Sequence, residues 1–418
     1  MSIKLRLTLL SFFQFFVWGA WLITVANYWF TTKQWDGQSF GAIFSTLGIA
    51  SILMPAIVGI IADKWVSAEK LYGILHILSG ICLAMLPQCE NPSSFFQIIL
   101  VAMVFYMPTI PLSNSIPYAI LKREKYDVIK VFPPIRVWGT IGFIAAMWVT
   151  NLTGNKASAN MFYIASTAAI ALGLYAFSLP KCPPPKLIKN EASLSEKLGL
   201  NAFKLFADYK MALFFAFSML LGGALQLSNM YGDVYLSEFA NIPKYADSLT
   251  VKYSTLIISI SQISETVFIL AIPYFLSKFG IKKVMLISMF AWVLRFGFFA
   301  YGNPSEGFAL IILSCIVYGM AFDFFNVSGS LYVETSSDSR IRSSAQGMFT
   351  MMTNGFGAVL GSSISGWLIQ NYFTTDQGKD WQGIWLSFAA YTLVIAIAFW
   401  IFFNFKDKPK DSAALAAS

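Results

Sequence analysis

Two carboxylates sit where an apolar chain has no ordinary use for them. Glu265 lies in SISQISETVF and Asp323 in YGMAFDFFN, each near the middle of a run long enough to cross a bilayer. A carboxylate at mid-membrane costs about 2.5–3.5 kcal/mol on insertion scales, so such a residue is expected to face a cavity or a partner. Polar and aromatic neighbours recur around both at helical spacing. Gln262 precedes Glu265 by one turn, and Asn326 follows Asp323 by one turn. Gln226, Asn229 and Asp233 in LQLSNMYGD repeat the step, as do Tyr318 and Phe322. Arg136, Thr140 and Phe143 in PPIRVWGTIGF form another stripe, and Gln14, Trp18 and Trp21 a further one. Amides and carboxylates bond hydroxyls, and aromatic faces stack on flat rings, so this set suits a polar, neutral, ring-bearing ligand. No nucleophile–base pair accompanies it. His76 is the one histidine, and Cys82, Cys89, Cys182 and Cys315 lie far apart without a CxxC. No enzyme constellation, metal site, cofactor or disulfide framework is therefore expected.

Each stripe also has a plainer reading. Gln226 and Asn229 could simply glue helices together. Tyr318 and Phe322 could be packing in a chain that is 17% aromatic. Asp233 and Glu334 lie nearer the ends of their runs and read as membrane-interface residues. His76 and Arg295 read as structural, the latter snorkelling outward or pairing. Pro133 and Pro134 suit a helix start, which would put Arg136 in a first turn as an interface cation.

These residues need long apolar helices to position them. Of 418 residues, 57% are hydrophobic and 12% charged, with 39 Phe and a mean hydropathy of +0.63. Such a chain is neither disordered, nor a secreted disulfide scaffold, nor an ordinary cytosolic enzyme. It is expected to be an all-α membrane protein with twelve spans: 6–30, 39–62, 70–88, 95–121, 134–152, 159–179, 211–237, 253–277, 284–302, 307–333, 343–371 and 383–405. Span one follows Lys4 and Arg6 but is too long for a signal peptide and lacks a small-residue cleavage site.

Charge orders the loops. Lys and Arg number 22 on the side that holds both termini and 5 on the other, with Arg136 and Arg295 inside spans. That bias puts both termini in the cytoplasm, and it accounts for the net charge of +8 without nucleic acid. The Pro- and Lys-rich stretch LPKCPPPKLIKNEASLSEK straddles the midpoint and reads as a cytoplasmic linker. The expected organisation is a six-helix bundle over 1–180, a linker over 181–210, a second six-helix bundle over 211–405 and a cytoplasmic tail over 406–418. Short basic turns at 59–70 and 274–283 fall at corresponding places in the two halves, as parallel repeats would have them.

Gly59, Asp63 and Lys64, followed by Lys70, resemble the loop motif between helices two and three of the major facilitator superfamily. The later basic portion of that motif is replaced by Val66-Ser67-Ala68-Glu69. The role this suggests is a charge and helix-dipole latch that biases one access state, against an ordinary polar turn. A closer likeness runs through LSFFQFFVWGAWL (9–21), FPPIRVWGTIGF (132–143), SMLLGGALQLSNMYG (218–232), ISQISETVFIL (260–270), YGMAFDFFNVSGS (318–330) and SAQGMFTMMTNGFG (344–357). Together these strings resemble bacterial nucleoside permeases of the nucleoside:proton symporter family over essentially the whole chain. The resemblance implies a substrate held between the two halves near the midplane. It also implies that Arg136, Thr140, Phe143, Gln226, Asn229, Gln262, Glu265, Tyr318, Phe322 and Asp323 line that site. Expected partners are a nucleoside, a proton and the lipid bilayer, with the chain a monomer in the bacterial inner membrane. Asp323 is the first choice for the proton-coupling carboxylate and Glu265 the second. A carrier of sugars or drugs with the same fold, a non-transporting receptor and a membrane-embedded enzyme are the competing readings.

Overall fold

In hydrocarbon a backbone has no water to bond, so every N–H and C=O must be met within the segment, and helix is the solution for a chain this apolar. The structure is a computed structural model describing residues 2–184, 200–337, 342–376 and 378–404, apart from the side chains of residues 60, 63, 129, 200–202 and 342–344. The chain divides into two compact units, Met1–Leu198 and Gly199–Ser418.

The first unit holds α1 (Ile3–Gly19), α2 (Gly37–Lys64), α3 (Ala68–Met85), α4 (Pro92–Tyr106), α5 (Thr109–Arg123), α6 (Val128–Leu152) and α7 (Asn160–Ala176). Short polar side chains set several starts: Asp36 accepts from Ser39 N–H at 2.7 Å, and Asn91 accepts from Ser94 N–H at 2.9 Å. Helix α1 packs on α6, and α3 packs on α7. The first contact is backbone-close: a Cβ added at Gly142 would lie 2.0 Å from the Phe12 carbonyl oxygen. Small residues at such crossings let membrane helices approach each other.

The second unit holds α8 (Tyr209–Glu238), α9 (Ser254–Tyr301), α10 (Phe308–Ser336), α11 (Arg342–Thr350), α12 (Ala358–Leu368) and α13 (Trp381–Phe402). Asp208 caps α8 through Met211 N–H at 2.9 Å. Helix α9 packs on α10 and α13, and α8 packs on α12 and on the π-helical turn Met351–Gly357. Here too the approach is close, with a Cβ at Gly222 falling 2.0 Å from the Thr353 carbonyl oxygen. A two-residue ribbon pairs Thr374 with Lys379 just before α13.

Among the described residues, eight helices are long and apolar enough to cross a membrane, against the twelve expected. The difference has local causes. Helices for the eighth and ninth expected spans run on as α9, broken only at Gly280, whose φ of 75° and ψ of 170° an L side chain rarely adopts. The first expected span breaks after Gly19 into a short helix and a π-turn at Tyr28–Thr32. The sixth is the 17-residue α7. The eleventh is cut by the Met351–Gly357 turn between α11 and α12.

The side chain of Asp63, on which the latch reading turns, the linker residues 185–199 and the tail 406–418 lie outside the described residues. The residue that interrupts the basic motif does have a place. Glu69 is buried, and its Oε2 accepts the Cys182 N–H at 2.8 Å, while Ala68 N–H donates to the Cys182 carbonyl at 3.0 Å. Arg123 also donates to the Lys181 carbonyl, at 2.5 Å. The chain leaving α7 is thus fastened to the first unit. Burial, then the Glu69 charge, push the Cys182 thiol up to about 11.

Candidate functional site

In the second unit, α8, α9 and α10 bring one group of the expected residues together. Asp323 on α10 is 4% exposed, and its Oδ2 has no hydrogen-bond partner among the described residues. Half-buried Glu265 on α9 lies within electrostatic reach of it. Gln262, one turn from Glu265, is buried, with an Oε1 that likewise lacks a partner among the described residues. Gln226 is buried and Asn229 half-buried on α8. The Tyr318 and Phe322 rings stack nearly parallel, 8° apart, with centroids separated by 6.0 Å. Trp292 meets Tyr318 edge-on at 5.8 Å. Asn326 Nδ2 donates to the Phe322 carbonyl at 2.9 Å. A cavity of about 20 Å³ touches Phe322, Asn326, Trp292, Thr353 and Asn354, room for about one water.

In the first unit, Arg136, Thr140 and Phe143 follow one another along α6, all half-buried. Helix α6 begins at Val128, after Asp127, which accepts from Lys130 N–H at 3.3 Å. Pro133 and Pro134 therefore lie inside the helix rather than at its start, and Arg136 sits more than two turns in. The first-turn reading of Arg136 is corrected by that earlier cap. Its guanidinium lies 4.3 Å from the centre of the Phe15 ring on α1, a cation–π contact. Phe143 meets Trp18 edge-on at 6.3 Å, and Trp18 lies 5.9 Å from Tyr106.

Each unit also contains a buried polar hub. In the first, Gln14 Nε2 donates to Thr109 Oγ1 at 2.9 Å, and Gln14 Oε1 accepts the Tyr72 hydroxyl at 2.6 Å. His76 Nε2 lies 2.9 Å from the same Oε1, and the Tyr106 hydroxyl donates to the Gln14 carbonyl at 2.7 Å. His76 is thus a hydrogen-bonded interior residue, as its plainer reading had it. In the second, Arg295 is 1% exposed. Its Nε and Nη2 donate to Ser228 Oγ at 2.9 and 2.6 Å, and its Nη1 donates to the Ser314 carbonyl at 2.9 Å. Of the two readings of Arg295, outward snorkelling or structural pairing, the inward bonds favour the second: a guanidinium has five donors, and the serines of neighbouring helices draw it inward. Asp233 is buried, whereas Glu334 is exposed. The ties of Arg295 were not legible beforehand, because serines spread over three helices leave no spacing signal.

Comparison with known proteins agrees with this chemistry. The family model described as nucleoside H+ symporter matches residues 1–408. The nucleoside permease NupG of Escherichia coli K12 is 50% identical over 407 residues, covering 97% of each chain. The xanthosine permease of the same organism is 49% identical over 411 residues, 98% of each. A crystal structure of nucleoside transporter NupG (D323A mutant) superposes with a TM-score of 0.94 at 50% identity, covering 96% of this chain and 100% of that one. The fold is that of a major-facilitator-type transporter, and the relatives are permeases rather than enzymes. The chain belongs to the nucleoside H+ symporter family, as a multi-pass protein of the inner membrane.

Proposed function

We propose that the chain takes up nucleosides by alternating access and that residues of α6 and of α8–α10 carry out that transport. The observation that carries this reading is Asp323: a buried carboxylate in an apolar helix, one oxygen without a hydrogen-bond partner among the described residues, beside a second acid. A buried acid of this kind is costly as a permanent anion and is suited to taking up and releasing a proton. Ribose hydroxyls bond to Gln226, Asn229, Gln262 and Glu265, and the base lies against Phe143, Tyr318 or Phe322. Arg136 and Thr140 complete the lining. Protonation of Asp323, with Glu265 second, accompanies closure around substrate. Release to the less acidic cytoplasm follows deprotonation.

The finer architecture belongs to the same proposal. It comprises twelve spans in two six-helix bundles over 1–180 and 211–405, joined by a linker over 181–210, with a tail over 406–418. Both termini are cytoplasmic and the chain is a monomer. Reporter fusions to the termini and light scattering in detergent test these points. The function itself is tested with purified protein in liposomes, radiolabelled uridine and an imposed pH difference. Accumulation driven by the gradient, competed by uridine and adenosine but not by sugars, is the expected result. Flux of sugars or drugs instead, or binding without flux, overturns the reading.

A further inference from the structure

Arg295 holds its charge in an unusual setting. Its hydrogen bonds run to neutral acceptors: Ser228 Oγ, the Ser314 carbonyl and, at 3.3 Å, Ser261 Oγ. Ser314 Oγ returns a bond to the Arg295 carbonyl at 2.8 Å. No ion pair among the described residues includes it. As a structural tie alone this is expensive, because a buried cation loses its hydration and gains no counter-ion. The Gln14 hub of the first unit, by contrast, is built from an amide, hydroxyls and an imidazole.

The anchors fall beside the transport residues. Ser228 stands between Gln226 and Asn229 on α8, Ser261 adjoins Gln262 on α9, and Ser314 is one turn before Tyr318 on α10. The guanidinium also lies 4.6 Å from the centre of the Tyr318 ring, which stacks on Phe322. The Tyr318 phenol is within electrostatic reach of Arg295, Glu265 and Asp323 alike. Cys315 also borders the guanidinium. One cation and two acids therefore share a single aromatic neighbour.

We propose that Arg295 is a positioning residue for proton coupling: it fixes the Tyr318–Phe322 stack and supplies a permanent positive charge to the neighbourhood of Glu265 and Asp323. The charge favours the ionised acids at the moment the proton must leave, and the hydrogen bonds keep the three site-bearing helices in register around it. This inference rests on the proton-linked reading above.

The test uses full-length protein in liposomes, with R295Q, R295K and S228A compared over a range of pH. In R295Q, uridine accumulation under an imposed gradient falls about tenfold or more, while exchange without a gradient falls far less. The alkaline limb of its uptake profile moves about one unit to higher pH, because the neighbouring cation is gone. R295K, which keeps the charge but not the planar fork, restores the position of that limb with slower turnover. A merely structural Arg295 lowers the amount and thermal stability of folded protein and leaves the profile where it was. An unshifted profile with wild-type accumulation in R295Q, or an R295K profile displaced as far as that of R295Q, overturns the proposal. Where R295Q fails to insert, S228A decides: a smaller shift in the same direction supports the proposal, and an unchanged profile overturns it. Failure of the transport reading itself is distinguishable, because the wild type then accumulates no uridine.

Discussion

The two units solve one problem with different chemistry. Each must hold long apolar helices together through polar groups that lipid would otherwise penalise. The first does so around Gln14, which joins α1 to α3 and α5 through Tyr72, His76 and Thr109. The second does so around Arg295, which joins both arms of α9 to α8 and α10. Near the hub without a permanent charge, the acid Glu69 stands one turn before Tyr72 on α3 and is bonded to the Cys182 N–H. The charged hub lies one aromatic ring away from two acids. Under the transport proposed above, the polarity of the first unit is architectural and aromatic, whereas that of the second serves the proton.

The sharpest way to break this contrast is to exchange acid for amide. Asp323→Asn is expected to lower gradient-driven uridine accumulation by about a hundredfold or more while uridine binding persists, whereas His76→Gln leaves coupling intact. Full accumulation in Asp323→Asn would remove that residue from the mechanism, and loss of coupling in His76→Gln would erase the distinction between the units. Next in size is Gln14→Leu, which strands two donors and an acceptor. A cost of about 3 kcal/mol is expected, seen as a lowered thermal midpoint in detergent with an unmoved pH profile. A moved profile would give the first hub a share in proton coupling. Phe143→Ala is expected to weaken nucleoside affinity about tenfold, with far less effect on free ribose. Equal losses for the two ligands would argue against base stacking. The smallest effect belongs to Glu238→Gln. Glu238 binds Lys379 at 2.5 Å and accepts from Trp381 Nε1 at 2.8 Å, and both members of the ion pair retain some solvent exposure. About 1 kcal/mol of stability and no change in uptake are expected; altered coupling would extend the proton-linked region to the end of α8.

Much of this was open to sequence reasoning because membrane helices follow simple rules of length, charge bias and periodicity. Glu265 and Asp323 stood out for their cost in lipid. Interruptions were harder to read. The π-turns at Tyr28–Thr32 and Met351–Gly357 carry apolar residues that look like continuous helix. Pro133 and Pro134 suggested a helix start, but Asp127 supplies the cap earlier. Arg295 was visible as a mid-span charge, yet its direction depended on serines distant in sequence. Glu69 looked like a defect in a basic motif until its bond to Cys182 gave it a purpose. Side-chain direction and long-range ties have no periodic signature, and they account for most of what the sequence reading missed.

The break at Gly280 carries a mechanical consequence. One residue of positive φ turns α9 from its first arm into its second, whereas the corresponding connection in the first unit, between α2 and α3, spans Trp65 to Ser67. The arm bearing Glu265 and the arm bearing Arg295 are therefore joined twice, by the single-residue break itself and by the bond from Arg295 to Ser261 at 3.3 Å.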